Sequence, residues 1–437
     1  MTQDKLPTSK IERASKFLKT GVKVGSNYAK HYGQKILLNR EMSRDDLDRK
    51  NANDIFESFA ELRGSALKMA QMLSMDTFNL STAFTDVMQK AQYSVPPMSA
   101  PMAVQAFKNS MGKSPEQVFD RFDAQAHKAA SMGQVHTAWK DGKKLAVKIQ
   151  YPGVADSIKS DIKLVKSVAP RVANTTAAEL APFFQEVEER LLEEADYTLE
   201  LKKSIEFSES CKDVAGIIFP AYYPEMSSQR VMTMEWIEGV HLKEFLASNP
   251  PKELKQKVAE NLWNFYEYQM HVLRTLNADP HPGNFLFRED GSIGVLDFGC
   301  TKTLTQELYD DYFALAEPGL FADRPRVEEV MRKLQILRPA DTRERVDYLI
   351  DLFERLITNI AQPYQLGFFN FANDSFYEEM TEISMEMSKM REVRGTRDFL
   401  FINRTYYGLY ALFRELGAEL NTACQYRDFL IKTDAQA

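Results

Sequence analysis

Three short motifs, which occur in a fixed order along this 437-residue chain, restrict its fold more than any other feature of the sequence. Lys148 stands in the apolar, β-prone run LAVKI, Asp279 and Asn284 stand five residues apart in DPHPGN, and Asp297-Phe298-Gly299 follows. Each motif alone occurs by chance in unrelated proteins. Their combination and order predict a fold in which one strand supplies a lysine and two loops supply carboxylate and amide groups to the same chemistry.

Hydrophobic periodicity predicts an α+β protein with two lobes, strands dominating first and helices later. Two hairpins are predicted, in residues 133–149 and 284–298, because Asp141-Gly142 and Asp290-Gly291 are dipeptides that favour tight turns. The other predicted elements are a helix from about residue 103, a helical region 154–207, strands in 215–223 and 231–236, a helix over 252–276, and helices after residue 304 with breaks near Gly319, Pro339 and Pro363.

Composition limits the class of protein. Apolar residues make up 44% and charged residues 27% of the chain, as in folded globular proteins. Cys211, Cys300 and Cys424 are too few and too scattered for a disulfide framework or a thiolate metal site. Residues 1–50 carry a net charge of +6, so the remainder carries −13 of the total of −7. This acidic body argues against nucleic acid as a partner.

The three motifs suit phosphoryl transfer. In protein kinases a strand lysine pairs with the α and β phosphates, a loop aspartate accepts a proton, and an asparagine five residues later holds Mg²⁺ together with the aspartate of D-F-G. This chain reproduces that order and that offset. The sequence therefore predicts ATP or ADP with Mg²⁺ as cofactors, Lys148 and Asp279 as catalytic residues, and Asn284 and Asp297 as metal ligands.

The stretch before the first hairpin, KAASMGQV, replaces the glycine-rich loop that covers the phosphates in protein kinases. Gly133 is its one glycine, and alanine does not freely adopt positive φ angles, so the loop should be stiffer. We expect altered nucleotide handling rather than loss of binding. The predicted nucleotide-binding residues here are Ala129, Ala130, Ser131, Met132, Gly133 and Val135.

Other features argue against protein kinase activity. After D-F-G the chain continues as CTKTLTQELYDDYF, which has helical character, and no A-P-E follows at the distance of an activation segment. Ala278 precedes Asp279, where protein kinases usually carry an arginine. His281 has no second histidine or cysteine nearby and is predicted to be structural. A small or lipid-like molecule, or water in an ATPase cycle, is then the expected acceptor.

Longer segments resemble a known family, the UbiB family of atypical protein-kinase-like ATPases that support coenzyme Q biosynthesis. The resemblance rests on KAASMGQVH, LAVKIQYPGVADSIKSD, LLEEADYTLE, NADPHPGNFLF and LDFG, with LRGSALKMAQMLSMD upstream and NRTYYGLYALFRELGAELN downstream. It implies a protein-kinase-like two-lobe fold and a transferase or ATPase role in ubiquinone biosynthesis. It also implies quinone-biosynthesis proteins and a lipid or quinone precursor as partners.

The resemblance further implies roles for individual residues. Glu200 would be the ion-pair partner of Lys148, and the family's signature lysine would meet its Glu-x-Asp acids. The residues concerned are Met234, Glu235 and Trp236 as the linker that reads adenine, Lys68 and Gln71 in the Lys-x-Gly-Gln signature, and Glu194 and Asp196 in the Glu-x-Asp signature. Two positions depart from the family pattern: Ala70 replaces the signature glycine, and Lys128 begins the alanine-rich loop.

The expected organisation has four segments. Residues 1–50 form a basic amphipathic helical segment, 51–120 hold the signature helices, 121–237 form an N-lobe with an inserted acidic helix, and 238–437 form a helical C-lobe with the catalytic loop and D-F-G. The basic segment suits an anionic membrane surface. The sequence shows neither an apolar spanning stretch nor a transit peptide, which favours a cytoplasmic protein peripheral to the inner membrane.

Three functions remain open at this point. The first is an Mg²⁺-dependent ATPase that promotes isoprenoid quinone biosynthesis. The second is a pseudokinase scaffold that senses ADP or ATP without turnover, which the stiff loop favours. The third is a small-molecule phosphotransferase similar to aminoglycoside kinases, which share the Asp and Asn core but not the upstream signature.

Overall fold

The computed structural model describes residues 97–130, 132–172, 177–317, 319–390, 392 and 394–422, together with single positions between residues 12 and 69. The chain divides into two compact units. Unit 1 comprises Met1–Lys202 and Ala221–Trp236, and unit 2 comprises Lys203–Pro220 and Ile237–Ala437. The sequence-based division had placed 203–220 with the N-lobe, whereas the structure groups this segment with unit 2.

Unit 1 contains a five-stranded antiparallel sheet. Its strands are β1 (Arg121–Phe122), β2 (Lys128–Ala129), β3 (Gly133–Lys140), β4 (Lys143–Gln150) and, further along the chain, β6 (Val231–Glu235). They lie in the order β1-β3-β4-β6, with β2 paired to β3. The predicted first hairpin is confirmed: Asp141 and Gly142 both have positive φ (51° and 76°), as a two-residue hairpin turn with right-handed strand twist requires.

Helices cover one face of this sheet. Ile158, Ile162 and Val165 recur at helical spacing and are buried in the same core as Val147 and Ile149 of β4. These helices are α1 (Ala100–Met111), α2 (Pro115–Val118), α3 (Val154–Val172) and α4 (Ala177–Glu194). The next helix, α5 (Tyr197–Ser210), packs its Tyr197 and Leu201 in a separate cluster with Ala146, Met232 and Met234, whose side chains lie on the other face of the sheet. The predicted helical region 154–207 is thus three helices, because Asp196 begins a new one.

Unit 2 is mainly helical, with three small sheets. Its core is rich in aromatic side chains and includes Leu262, Trp263 and Phe265 of its central helix. Its helices are α6 (Leu242–Ala247), α7 (Lys252–Tyr268), α8 (Gln306–Ala314), α9 (Arg324–Lys333), α10 (Arg343–Leu366), α11 (Asp374–Lys389) and α12 (Arg397–Leu416). Its strands are β5 (Ile217–Ile218), β7 (Thr275–Asn277), β8 (Phe285–Phe287), β9 (Ile293–Val295), β10 (Thr301–Thr303), β11 (Phe368–Asn370) and β12 (Glu419–Asn421).

The predicted end of one helix in unit 2 was wrong. The helix predicted over 252–276 ends as α7 at Tyr268, is followed by one π-helical turn (Gln269–Leu273), and gives way to β7 after Arg274 takes a left-handed φ of 50°. The break predicted near Pro363 is present, because Pro363 lies in the last turn of α10, which ends at Gly367 (φ 68°). The hairpin around Asp290-Gly291 is confirmed as β8 and β9.

The combination of a small antiparallel sheet in unit 1 with a helical unit 2 confirms the predicted α+β class. Among the described residues, no helix is long and apolar enough to cross a bilayer. Most of the segment 1–50 and much of 51–96, including the predicted basic amphipathic helix, lies outside the described residues.

Candidate functional site

The strand lysine of unit 1 is held in an ion pair. Lys148 lies in β4, and its Nζ is 2.7 Å from Oε1 of Glu200, which lies in the first turn of α5. The two side chains are 14% and 2% exposed, so water screens their attraction far less than it would at the surface. Nζ also lies 4.9 Å from the centre of the Tyr197 ring. The pairing that the resemblance implied is therefore present and fixes the direction of the ammonium group.

The alanine-rich loop of unit 1, predicted to bind the nucleotide, is closed by its own backbone. The N–H of Ala130 donates to the carbonyl of Gly133 (2.8 Å), and Ala129 pairs with Gln134 through β2 and β3. Met132 is buried in the core of unit 1, so its side chain packs against protein. Ser131 lies outside the described residues. The backbone hydrogen bond and the buried Met132 side chain thus hold the two ends of this stretch together, and the predicted stiffness of the loop stays a prediction.

Gly133 has a steric reason to be glycine. A Cβ at this position would lie 2.5 Å from the carbonyl oxygen of Ile149 and 2.8 Å from the hydroxyl of Tyr197. Neither neighbour is a flexible chain end, since one is backbone and the other is a buried ring substituent. Gly133 therefore keeps β3 tight against the strand of Lys148. The neighbouring Val135 pairs with Lys148 across β3 and β4.

The linker residues complete the edge of the same sheet. Met234 is buried in a small cluster of unit 1, opposite Ala146. The N–H of Glu235 donates to the carbonyl of Ala221 (2.7 Å), and the N–H of Trp236 donates to the carbonyl of Lys144 (3.0 Å). Both N–H groups are therefore occupied by carbonyl groups of the protein and do not bind a nucleotide in this arrangement. They are excluded from the backbone contacts with adenine that the resemblance implied for the linker.

The catalytic-loop residues of unit 2 are locked together. Nδ2 of Asn284 donates to Oδ2 of Asp279 (3.0 Å) and to its backbone carbonyl (3.1 Å). Because the side-chain nitrogen of Asn284 makes both hydrogen bonds, the side-chain oxygen is the atom of Asn284 that can bind a cation. His281 takes the structural role predicted for it, since its Nδ1 accepts the N–H of Gly283 (3.0 Å) and caps the turn Pro282–Asn284.

The D-F-G tripeptide of unit 2 is fixed by a buried ring and a tight turn. Oδ1 of Asp297 accepts the N–H of Gly299 (2.8 Å). Phe298 is fully buried, with its ring centre 4.9 Å from that of Phe207 and 5.6 Å from that of Phe219. The backbone on either side of the Asp297 carboxylate is therefore held in one conformation.

Asn277 is a site residue that the sequence reasoning missed. Its Nδ2 donates to the carbonyl of Asp297 (2.9 Å), and its Oδ1 accepts the N–H of Asp279 (3.3 Å). Its own N–H donates to Oε1 of Gln269 in the π-helical turn (2.8 Å). One buried side chain thus joins the catalytic loop to D-F-G. Its position two residues before Asp279, in NADPHPGN, was the available signal.

The family signature forms part of unit 1. Nζ of Lys68 lies 3.0 Å from Oε1 of Glu194 at the end of α4, and both side chains are 25% exposed. Asp196 acts as the N-cap of α5, because its Oδ1 accepts the N–H groups of Thr198 (3.0 Å) and Leu199 (3.4 Å). Gln71 and Ala70 lie outside the described residues.

The donor chemistry of unit 2 suits a hard cation. Mg²⁺ takes oxygen ligands, keeps several waters, and is usually held by one or two protein carboxylates together with substrate phosphates. The Asp297 carboxylate and the Asn284 amide oxygen are ligands of this type. The described residues contain no cluster of three or more His, Cys, Asp or Glu side chains suited to a metal. Such a cluster is not needed where phosphate oxygens complete the coordination.

The folds of the two units and the residues of the candidate site define a kinase-like α+β protein. The family model of the ABC1 atypical kinase-like domain matches residues 90–331, more than half of the chain. The chain belongs to this family. The match confirms the resemblance to UbiB atypical kinases that the motifs indicated.

Individual relatives are distant. The chain is 25% identical to the probable serine/threonine-protein kinase abkA of Dictyostelium discoideum over 97% of this chain and 80% of that protein. It is 24% identical to the mitochondrial atypical kinase COQ8 of Saccharomyces cerevisiae, covering 97% and 85%. It is 27% identical to the mitochondrial atypical kinase coq-8 of Caenorhabditis elegans over 86% of this chain, but spans half of that relative's length.

A solved structure shows the same fold. The complex of Rv3197 with erythromycin from Mycobacterium tuberculosis aligns with a TM-score of 0.61 at 21% identity, covering 88% of this chain and 97% of that one. At this identity the likeness establishes the fold alone.

Proposed function

We propose that this chain is an atypical kinase-like enzyme that binds ATP or ADP with Mg²⁺ and hydrolyses ATP in support of ubiquinone biosynthesis or lipid handling at a membrane surface. The observation that carries the proposal is the presence, within one ABC1-family chain, of the Lys148–Glu200 ion pair and of the hydrogen-bonded pair Asp279 and Asn284, which Asn277 joins to Asp297. Relatives named as mitochondrial COQ8 kinases support the quinone part.

Each residue then has a distinct task. Lys148, held by Glu200, presents a fixed positive charge to phosphate oxygens. Asp279 orients the attacking water or acceptor and takes its proton, and Asn284 holds that carboxylate in place. Asp297 and the amide oxygen of Asn284 hold Mg²⁺, which when bound neutralises charge that develops on the phosphates. The protein contributes position and electrostatics rather than a covalent intermediate.

The segment after D-F-G supports an ATPase rather than a protein kinase. Thr301–Thr303 forms β10, which pairs with β7, and α8 begins at Gln306. Thr305 caps that helix by accepting the N–H of Leu308 (3.2 Å). The chain therefore becomes regular where protein kinases carry a long activation segment that receives a peptide.

The decisive experiment measures the metal dependence of nucleotide binding. Purified protein is titrated with ATP and ADP, with Mg²⁺ or with EDTA, and phosphate release is followed with and without anionic liposomes. Asp297→Asn should remove the Mg²⁺-dependent part of binding and the release of phosphate. Asp290→Asn is the matched control, because Asp290 lies in the neighbouring hairpin turn and Asn-Gly forms that turn equally well. Unchanged Mg²⁺-dependent affinity in Asp297→Asn would refute the metal assignment.

A nucleotide-sensing scaffold is the second candidate. The closed backbone of the loop between Ala130 and Gly133 and the burial of Met132 favour it, because a braced loop adjusts less to a γ-phosphate. Binding without phosphate release under every lipid condition would select this function. Release that anionic liposomes stimulate would select the ATPase and would support a peripheral membrane location.

A further inference from the structure

Gly408 occupies an unfavourable position for a glycine. It lies in the interior of α12, where glycine loses more backbone freedom than alanine and weakens a helix. It is the only glycine inside any of the described α-helices. The rest of α12 consists largely of long apolar and aromatic residues. A specific contact should therefore account for the missing side chain.

That contact is with the catalytic loop. A Cβ at position 408 would lie 2.6 Å from Cγ of Pro280, with Cδ and Cβ of the same ring at 3.6 and 3.8 Å. Pro280 is buried and directly follows Asp279 in the chain. The bare backbone of α12 is thus in contact with the residue next to the candidate catalytic carboxylate.

Side-chain hydrogen bonds and burial hold α12 in place on both sides of Gly408. Oδ1 of Asn403 accepts the hydroxyl of Tyr312 of α8 (2.8 Å), and the hydroxyl of Tyr406 donates to Glu267 of α7 (3.4 Å). Leu409 and Phe413 are fully buried. Because α12 is anchored on both sides of Gly408, an added methyl group would move Pro280 rather than the helix.

We infer that Gly408 is a positioning residue. Because Gly408 has no side chain, the backbone of α12 contacts the ring of Pro280 directly, and this contact sets the distance of Asp279 from Asn284 and Asp297. Asp279 accepts two hydrogen bonds from Nδ2 of Asn284, at its carboxylate and at its backbone carbonyl, and donates its N–H to Asn277, so a shift of Pro280 is passed to both residues. The inference rests on the proposed function only for the consequence in catalysis. The contact itself does not depend on it.

The experiment compares Gly408→Ala, Pro280→Ala, the double variant and Ala411→Gly in the full chain. Alanine at 280 removes Cγ and leaves Cβ at 3.8 Å, an ordinary contact distance, so the double variant has room for both methyl groups. Gly408→Ala should lower kcat for phosphate release, or Mg²⁺-dependent affinity if there is no turnover, by about tenfold or more, because small misplacements of reacting groups are costly. Nucleotide binding in EDTA should not change.

The double variant should return to the level of Pro280→Ala alone. Ala411→Gly, at an exposed position of the same helix, controls for helix stability and should leave kcat unchanged. Wild-type activity in Gly408→Ala, or a double variant no better than Gly408→Ala, would overturn the inference. If the wild type neither binds nor hydrolyses nucleotide, the proposed function fails, and the inference is then tested by the free energies of unfolding of the same variants. Non-additive effects of Gly408→Ala and Pro280→Ala would support the contact between α12 and Pro280, and additive effects would refute it.

Discussion

Asn277 illustrates what a single residue contributes in this protein. A buried amide that is bonded on both its oxygen and its nitrogen fixes two backbone segments at once, and here those segments carry Asp279 and Asp297. Replacing one partner leaves a buried polar group unsatisfied, at a cost of about 1–3 kcal/mol. The side chain therefore acts on the two motifs without itself being required to touch a nucleotide.

Asn277→Asp tests this role. The new carboxylate still accepts the N–H of Asp279 but places an oxygen against the carbonyl of Asp297, so we expect Mg²⁺-dependent nucleotide affinity to fall about tenfold. Calorimetric titration with Mg²⁺ and with EDTA measures the effect. Asn261→Asp is the matched control, since Nδ2 of Asn261 also donates to a carbonyl, that of Gly291 (2.9 Å), away from the loop. Equal losses in both variants would show that Asn277 only stabilises the fold.

At the scale of elements, the signature segment contacts two other helices of unit 1 through neighbouring residues. Lys68 pairs with Glu194 of α4, and Met69 is fully buried. Ser65 donates to the buried carboxylate of Asp161 in α3, which also accepts the hydroxyl of Ser157 (3.1 Å). These contacts join one short stretch of chain to two helices.

A charge exchange tests the ion pair between these elements. Lys68→Glu and Glu194→Lys should each lower the free energy of unfolding by about 1 kcal/mol, because each places like charges together, and the double variant should recover most of the loss. Calorimetric unfolding of the full chain measures this coupling. Lys159→Glu, an exposed change on α3, should stay within about 0.5 kcal/mol. Additive losses in the double variant would mean that the two charges do not interact.

Short sequence patterns predicted the helices and hairpins that are specified by residues close together in the chain. The Asp-Gly turns specify both hairpins, and the spacing of Ile158, Ile162 and Val165 specifies α3. The strand β7 was missed because its partner, β10, lies after D-F-G, and the strand pair β11 and β12 was missed because α11 and α12 separate its members. Such pairings depend on tertiary contacts that no short window contains.

The candidate site follows the same rule. Lys148, Asp279, Asn284 and Asp297 were found because their spacing reflects chemistry that many sequences share. Gly408 acts through a residue far from it in sequence, so only the folded chain shows its role.

At the scale of the whole molecule, each of the two units has a largely buried ion pair of its own. Unit 1 contains the pair of Lys148 and Glu200. Unit 2 also contains a buried ion pair remote in sequence from the catalytic loop. The guanidinium of Arg394 donates to both carboxylate oxygens of Asp341 (2.7 and 3.0 Å), and the two side chains are only 3% and 7% exposed.

This pair makes the stability of unit 2 sensitive to acid. Burial alone would raise the pKa of Asp341, but hydrogen bonds from Arg394 and from the N–H of Arg338, with the charge of Arg394, outweigh it and lower the pKa below its ordinary value. A lowered folded-state pKa gives stability that is present above the unfolded value of about 3.9 and is lost as the pH falls through the folded value. The contribution should therefore disappear only below about pH 4.

Asp341→Asn should expose this dependence, because it removes the more buried of the two carboxylates that face Arg394 and leaves Glu392 as the remaining counter-ion. We expect a loss of about 2 kcal/mol near neutral pH, typical of a lost hydrogen bond to a charged group, and the gap to wild type should narrow as the pH falls below about 4. Urea unfolding of the full chain, with Trp139 and Trp236 replaced by phenylalanine, leaves Trp263 in the core of unit 2 as the reporter. Asp374→Asn removes an exposed partner of Arg414 and should cost less than about 1 kcal/mol at every pH. A gap that stays constant from neutral to acidic pH would show that the pKa of Asp341 is the same in the folded and the unfolded chain, so that the ion pair does not lower it.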